Sequence, residues 1–310
     1  LELVRLRFEQ VGYTNPSGWK ASLKDFGVTE EIVLKKSTSL RPPATAAATK
    51  FDDILNSELK PELSMLGDAL RRQDIEGTVV HQERAAKFLA EARALSIKPK
   101  TLPYDIPEEY AGFPTLQGRA EVHMTVSTKR NRGFTLEDGQ AGPKMAELVL
   151  EVDGLHAPIT AGNFVDLVKR QWYDGMAIEE NGELIVQTGK GKGKEAPRKI
   201  PLEIFYKKDA TPTWSTTSDD DGRATDAPAL PFQAYGALGM MRSNDDVDSA
   251  TSEFFFLKWQ QALIPPGRNT LDGYYSCFGY VTSPNAENVI RQLGVGDTIV
   301  KAEVVRGQDN

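Results

Sequence analysis

The sequence predicts an α+β protein, with an N-terminal helical region followed by a closed antiparallel β-barrel with capping helices. Leu55, Leu59, Leu63, Leu66 and Leu70 recur at steps of 4, 4, 3 and 4, which keeps them on one helix face. Ala120, Val122, Met124 and Val126 alternate with Glu121, His123 and Thr125, the period of a half-buried strand. One short helical pattern then sits among further strand-like runs, an order that favours a closed antiparallel barrel. The boundaries follow: residues 1–98 form the helical domain, 99–118 a Pro-rich linker, and 119–310 the barrel domain.

Near the start, Leu1, Val4 and Phe8 can line a helix that Asn15-Pro16-Ser17-Gly18 ends. Leu23 to Lys36 holds another short helix, and the Pro-, Ala- and Thr-rich stretch Leu40 to Thr49 reads as a linker. In the leucine stretch, Pro61 breaks a single long helix but fits the first turn of a new one. Asp74 caps a third helix that buries Val80, Phe88, Ala92 and Leu95. The leucines suit a helical hairpin or bundle; a leucine zipper needs a seven-residue repeat, which Pro61 and Gly67 interrupt.

Pro99, Pro103, Pro107 and Pro114 stiffen the linker. Its Tyr104, Tyr110, Phe113 and Leu116 are too apolar for a free tether, so it is expected to lie along the barrel domain. A strand runs from Met145 to Val152. Thr160 is the expected N-cap of a helix with Phe164, Leu167 and Val168 on one face, and Gly175 marks the turn after it. Leu184, Ile185 and Val186 suit a buried strand. Lys129–Pro143, Thr211–Asp226 and Asn244–Ser249 read as surface loops.

Net charge is −7 and the pI about 5.2, which argues against a nucleic-acid partner, since phosphate binding needs a concentrated basic surface. No apolar run approaches the roughly 18 residues of a membrane span. Cys277 is the single cysteine, so neither an internal disulfide nor a cysteine metal cluster can form. His81, His123 and His156 are scattered, and no metal or organic cofactor is implied. His123 falls on the polar side of its strand and reads as a surface residue. Gly189-Lys190-Gly191-Lys192-Gly193-Lys194 is not a phosphate loop: Glu195, Ala196 and Pro197 follow it, with no hydroxyl after the lysine. A chain beginning at Leu1 is expected to be a mature form or a fragment.

Four islands carry a family resemblance. They are Ala157-Pro158-Ile159-Thr160-Ala161-Gly162-Asn163-Phe164 with Tyr173-Asp174-Gly175; Gly236-Ala237-Leu238-Gly239-Met240-Met241; Ser252-Glu253-Phe254-Phe255-Phe256; and Leu271-Asp272-Gly273 with Phe278-Gly279-Tyr280-Val281. In this order they resemble the cyclophilins, the peptidyl-prolyl cis-trans isomerases, over about residues 119–310. The chain is most similar to the multidomain group of the thylakoid lumen, which carries a helical domain in front. The resemblance implies a cyclophilin-like barrel, a chloroplast thylakoid-lumen location, a protein client and contact between the helical and barrel domains. Photosystem II subunits are the implied clients.

Prolyl isomerisation rotates an amide over a barrier of about 18–20 kcal/mol. A catalyst must favour the twisted amide, with a donor aimed at the proline nitrogen and an apolar pocket for the ring. The resemblance implies an arginine donor, and its position falls on Glu180. The first glutamine falls on Gln187, with Leu184 and Ile185 at the apolar positions before it. The second glutamine falls on Glu253 and the pocket phenylalanine on Phe255. Arg242, after Met241, takes the place of the asparagine that grips peptide backbone. The tryptophan position falls near Thr270, the leucine on Leu271 and the histidine on Tyr275. Part of the apolar floor is thus kept, whereas the catalytic set is degenerate at Glu180, Glu253 and Tyr275, and an ionised Glu180 can only accept. The expected function is a folding or assembly factor that binds extended client segments, with isomerase activity weak or lost. The alternative is an active isomerase that uses altered residues, Arg242 among them, or is inhibited by its helical domain. A third reading is a structural subunit whose groove is covered by the helical domain or the linker.

Overall fold

The computed structural model describes residues 15–37, 41–42, 46–96, 102–136, 139–191, 197–258 and 269–307. It divides into two compact units, Leu1–Lys98 and Pro99–Asn310. The proposed Leu1–Phe8 helix and Lys192–Ala196 of the glycine-lysine run lie outside the described residues.

The first unit is helical. Asn15 and Pro16 begin a helix instead of ending one: α1 spans Pro16–Lys36, and the Asn15 side chain accepts a bond from the Ser17 N–H. Proline suits a first turn because its missing N–H would have had no partner there. The expected linker is shorter than predicted, because α2 (Ala46–Asp53) already begins at Ala46. Pro61 does not end the helix it was expected to break. The chain widens into a π-helix over Ile54–Leu59 and continues as α3 (Lys60–Arg72). Proline cannot bond back to the carbonyl four residues before it and crowds that carbonyl, so a wider turn at this point relieves both problems. Asp74 caps α4 (Ile75–Ser96), its carboxylate accepting from the Gly77 N–H at 3.0 Å. The five leucines join Trp19, Phe26 and Phe51 in one core. Ala92 is buried as expected and Phe88 and Leu95 pack against the core, but Val80 is exposed, and Thr78, Gln82 and Ala85 face inward.

The second unit is built on one eight-stranded antiparallel sheet. Its strands are β1 (Arg119–Ser127), β2 (Met145–Asp153), β3 (Ile178–Asn181), β4 (Ile185–Thr188), β7 (Ala237–Met240), β8 (Phe254–Leu257), β9 (Cys277–Val281) and β10 (Thr298–Arg306). Their order is β10-β1-β2-β9-β7-β8-β4-β3. The two ends of this order meet, which closes the barrel. Ala177 bridges Thr298, the Ile178 N–H donates to Asp297 O at 2.7 Å, and the Ile299 N–H donates to Met176 O at 2.7 Å. The two end strands are joined where they meet, around Met176–Ile178 and Asp297–Ile299. The interior is filled by alternate residues such as Val122, Met124, Leu148, Val186, Phe254 and Phe256. Two helices, α5 (Pro158–Lys169) and α6 (Ala286–Gln292), pack Phe164, Leu167, Val289 and Ile290 onto the same core.

Thr160 is not the N-cap of α5. The helix starts at Pro158, and its first N–H groups find a carboxylate from far along the chain. Glu203 accepts from Ile159 N at 3.3 Å and from Thr160 N at 2.9 Å. Glu203 lies on β5 (Glu203–Ile204), which pairs with β6 (Thr213–Trp214), and it also accepts from Trp214 Nε1 at 2.9 Å. Burial raises the Glu203 carboxyl above its usual range, and the N–H donors oppose that shift. The excursion read at Thr211–Asp226 is therefore partly built in, with Thr217 and Ser218 buried. Segment 102–118 lies on this same unit. The Leu116 N–H donates to Pro158 O at 3.0 Å, and Tyr110 packs on Trp214 at 5.7 Å. A Cβ on Gly162 would come within 2.4 Å of Pro114 O, so α5 needs a glycine where this segment crosses it.

Candidate active site

The cyclophilin positions converge on the outer face of the sheet. Glu180 on β3 stands opposite Gln187 on β4, Gln187 opposite Phe255 on β8, and Phe255 opposite Gly239 on β7. Cross-strand partners project to one face, so the four form a single row across the sheet. A second apolar cluster lies on this face: Phe232, Ala237, Phe255, Leu257 and Cys277 are buried, with Ile185, Met241, Leu271 and Tyr275 packed against them. Leu184 stands apart on the β3–β4 turn, 41% exposed. Thr270 is exposed.

The polar end of the row is acidic. Glu180 is exposed on its strand. Gln187 Nε2 donates to Glu253 Oε2 at 2.8 Å, so the retained glutamine spends a donor on the carboxylate that replaces its partner. No positive charge stands in the row itself.

The apolar end is closed. Phe255 is 1% exposed. Phe232, from the loop before β7, stacks on its ring with centroids 5.5 Å apart and planes 25° apart. Tyr275 meets it edge-on at 5.7 Å and 89°. The ring lies directly against Gly239, where an added Cβ would come within 2.1 Å of Cζ. The Arg242 guanidinium lies over the Tyr275 ring at 5.3 Å, and its Nε and Nη1 donate to Tyr274 O and Ser243 O, each at 2.7 Å. Arg242, Tyr275, Phe255 and Phe232 thus form one continuous column.

Sequence reasoning missed Phe232. Two bonds hold its backbone, its N–H donating to Asp272 Oδ1 at 2.7 Å and Asn269 Nδ2 donating to its carbonyl at 3.4 Å. Both partners are nearly forty residues away in sequence, and no local pattern marks the residue. Cys277 lies in the same cluster, and burial pushes its thiol up to about 12, so it stays protonated. Among the described residues, no group of three His, Cys, Asp or Glu side chains could hold a metal ion. No helix among them is long and apolar enough to cross a membrane.

Comparison with known proteins places the chain in a family. Residues 140–306 match the family model for cyclophilin type peptidyl-prolyl cis-trans isomerase/CLD. A putative thylakoid lumen peptidyl-prolyl cis-trans isomerase of Synechocystis is 35% identical over 302 residues, covering 94% of this chain and 74% of that protein. The chloroplastic peptidyl-prolyl cis-trans isomerase CYP38 of Arabidopsis thaliana is 39% identical, covering 67% of this chain and 47% of its own length. Its chloroplastic relative CYP37 is 30% identical, covering 81% of this chain and 53% of its own. A solved cyclophilin type isomerase of Cryptosporidium parvum aligns with a TM-score of 0.40 at 17% identity, covering 60% of this chain and 97% of that one. With the family model spanning more than half of the chain and a relative matched along nearly all of it, this chain belongs to the cyclophilin-type peptidyl-prolyl cis-trans isomerase family.

Proposed function

We propose that this chain is a folding or assembly factor of the thylakoid lumen that uses its cyclophilin barrel to bind extended segments of client proteins, with prolyl isomerase activity weak or lost. The names of the Synechocystis and Arabidopsis relatives support the compartment. Photosystem II subunits as clients rest on the resemblance to the lumenal multidomain group.

The observation that carries the loss of chemistry is the row across β3, β4 and β8. Twisting a prolyl amide returns a lone pair to the nitrogen, and a donor pointed there stabilises the twisted form. Glu180 supplies a carboxylate instead, whose charge opposes the developing electron density. The ring that should receive proline offers no open face, because Phe255 is packed into the column. Losing one aligned donor typically costs about 10²–10³ in rate.

A protease-coupled isomerisation assay on a Xaa-Pro peptide, run with the full chain, tests this reading. A rate indistinguishable from the uncatalysed one is expected. Turnover within tenfold of an arginine-bearing cyclophilin measured alongside would overturn it.

A further inference from the structure

We infer that Arg242 is a carboxylate-binding residue, and that the barrel recognises an acidic side chain of an extended segment there instead of a proline ring at Phe255. This rests on the client-binding reading above and gives it a ligand chemistry. Nε and Nη1 of Arg242 are held by Tyr274 O and Ser243 O, and the guanidinium is laid over the Tyr275 ring. Those contacts fix its plane, so little side-chain freedom remains to be lost on binding. They involve neutral groups only, and Nη2 has no partner among the described residues.

The lack of a counter-ion is informative because the loop that follows carries carboxylates that do not pair with it among the described residues. The loop after Arg242 carries Asp245, Asp246 and Asp248. Asp246 is taken by Lys199 at 2.8 Å and by the Asp248 N–H at 3.0 Å. Asp248 accepts from the Leu202 N–H at 3.0 Å. Asp219, reaching in from the inserted loop, is taken by the Tyr274 hydroxyl. In a chain of net charge −7, the fold leaves this guanidinium half-exposed beside the groove without an ion pair among the described residues. Half-buried Met241 and Leu271 sit on the same face and supply apolar surface for the residues beside the carboxylate. A planar fork already oriented by two carbonyls suits a carboxylate, which can accept two of its N–H bonds.

The probe is a pair of fluorescent nonapeptides, capped at both ends, identical except for a central Glu or Gln in a Ser-, Thr- and Val-rich background. Anisotropy titrations with the full chain are expected to show about tenfold tighter binding of the Glu peptide, the scale of one charge-assisted hydrogen bond. Raising the salt should shrink that preference, a readout that needs no variant. Arg242→Gln should abolish the preference, and Arg242→Lys should keep part of it, since a lysine holds the charge without the fork. Equal binding of the two peptides, or a preference that survives Arg242→Gln, overturns the assignment of Arg242 and leaves client binding standing. Binding of neither peptide, nor of a wider capped library, overturns both readings.

Discussion

Glu180→Arg is the most direct test of why the site should be inactive. Were the missing donor the whole defect, restoring it would recover about 10²–10³ in rate, or roughly 2.7–4 kcal/mol. The column around Phe255 sets an opposing cost. Full burial of a phenylalanine side chain is worth about 1.5–3 kcal/mol. Each aromatic pair adds about 0.5–1.5 kcal/mol, and Phe255 makes two, with Phe232 and Tyr275. Freeing the ring to receive a proline therefore costs about 2.5–6 kcal/mol, an open population of about one in 10² to one in 10⁴. That offsets most or all of the donor's gain. Glu180→Arg alone should stay within about tenfold of background in the protease-coupled assay. Adding Tyr275→His, which restores the family's smaller ring and removes the edge contact, should raise the rate further than either change alone. A gain of a hundredfold from Glu180→Arg by itself would refute this reasoning and show that Phe255 is reachable at little cost.

Other consequences follow from single contacts. Gly239→Ala puts a methyl within 2.1 Å of the Phe255 ring, so urea denaturation should show a loss of about 1–3 kcal/mol, whereas an unchanged midpoint would mean the ring does not rest on this strand. Glu203→Gln replaces an acceptor of three N–H groups with a side chain that turns an NH₂ toward some of them; a destabilisation of about 1–3 kcal/mol is expected, and its absence would remove Glu203 as the cap of α5. His123 bonds Glu121 at 2.9 Å and Glu147 at 3.3 Å and faces Glu303 across the ladder, and the Glu121 bond raises its folded pKa. A raised histidine stabilises most fully below its unfolded value of about 6.5, and that contribution is lost as the pH rises through the folded value. Its half-buried, solvent-screened position keeps the effect to about a few tenths of a kcal/mol. The stability difference between wild type and His123→Gln should therefore be largest at acidic pH and fade toward alkaline pH; a flat difference would rule the histidine out.

What could be read from the residues was whatever repeats locally. The leucine steps placed one face of the π-helical segment Ile54–Leu59 and of α3, because a helix returns about every 3.6 residues. Alternation placed β1, because strand side chains swap faces at each step. Phe255 and Gly239 of the row lie within the family islands, each a short continuous segment. Features made by distant partners stayed hidden. Thr160 has the chemistry of an N-cap, yet Glu203, 43 residues on, does the capping. Pro61 has the chemistry of a helix break, and its effect is a π-helical turn because packing of Leu55, Leu59 and Leu63 holds the segment in line. Val80 fits the helical period but falls on the exposed side, because period alone does not say where the apolar arc of a weakly amphipathic helix begins. Phe232 carries no local signal at all, and it is the residue that stacks on the pocket ring.

The departures from the family pattern depend on one another. With tyrosine at 275, a larger ring reaches the edge of Phe255, and Arg242 has an aromatic face to lie on. With arginine at 242, Nε takes the carbonyl of Tyr274, which fixes the turn that presents Tyr275. With glutamate at 253, the amide of Gln187 is drawn into an internal bond. Gly239, within one of the family islands, lets the Phe255 ring settle on the strand backbone. Tyr275 and Arg242 each make a contact that the other uses. Loss by drift would leave unpaired groups and gaps, both of which are costly in a packed site. The outer face instead has its rings stacked and its glutamine paired, with one cation left without an ion pair among the described residues. On the reading proposed above, this outer face takes a ligand other than a proline ring, and the charge at Arg242 is the first place to look for it.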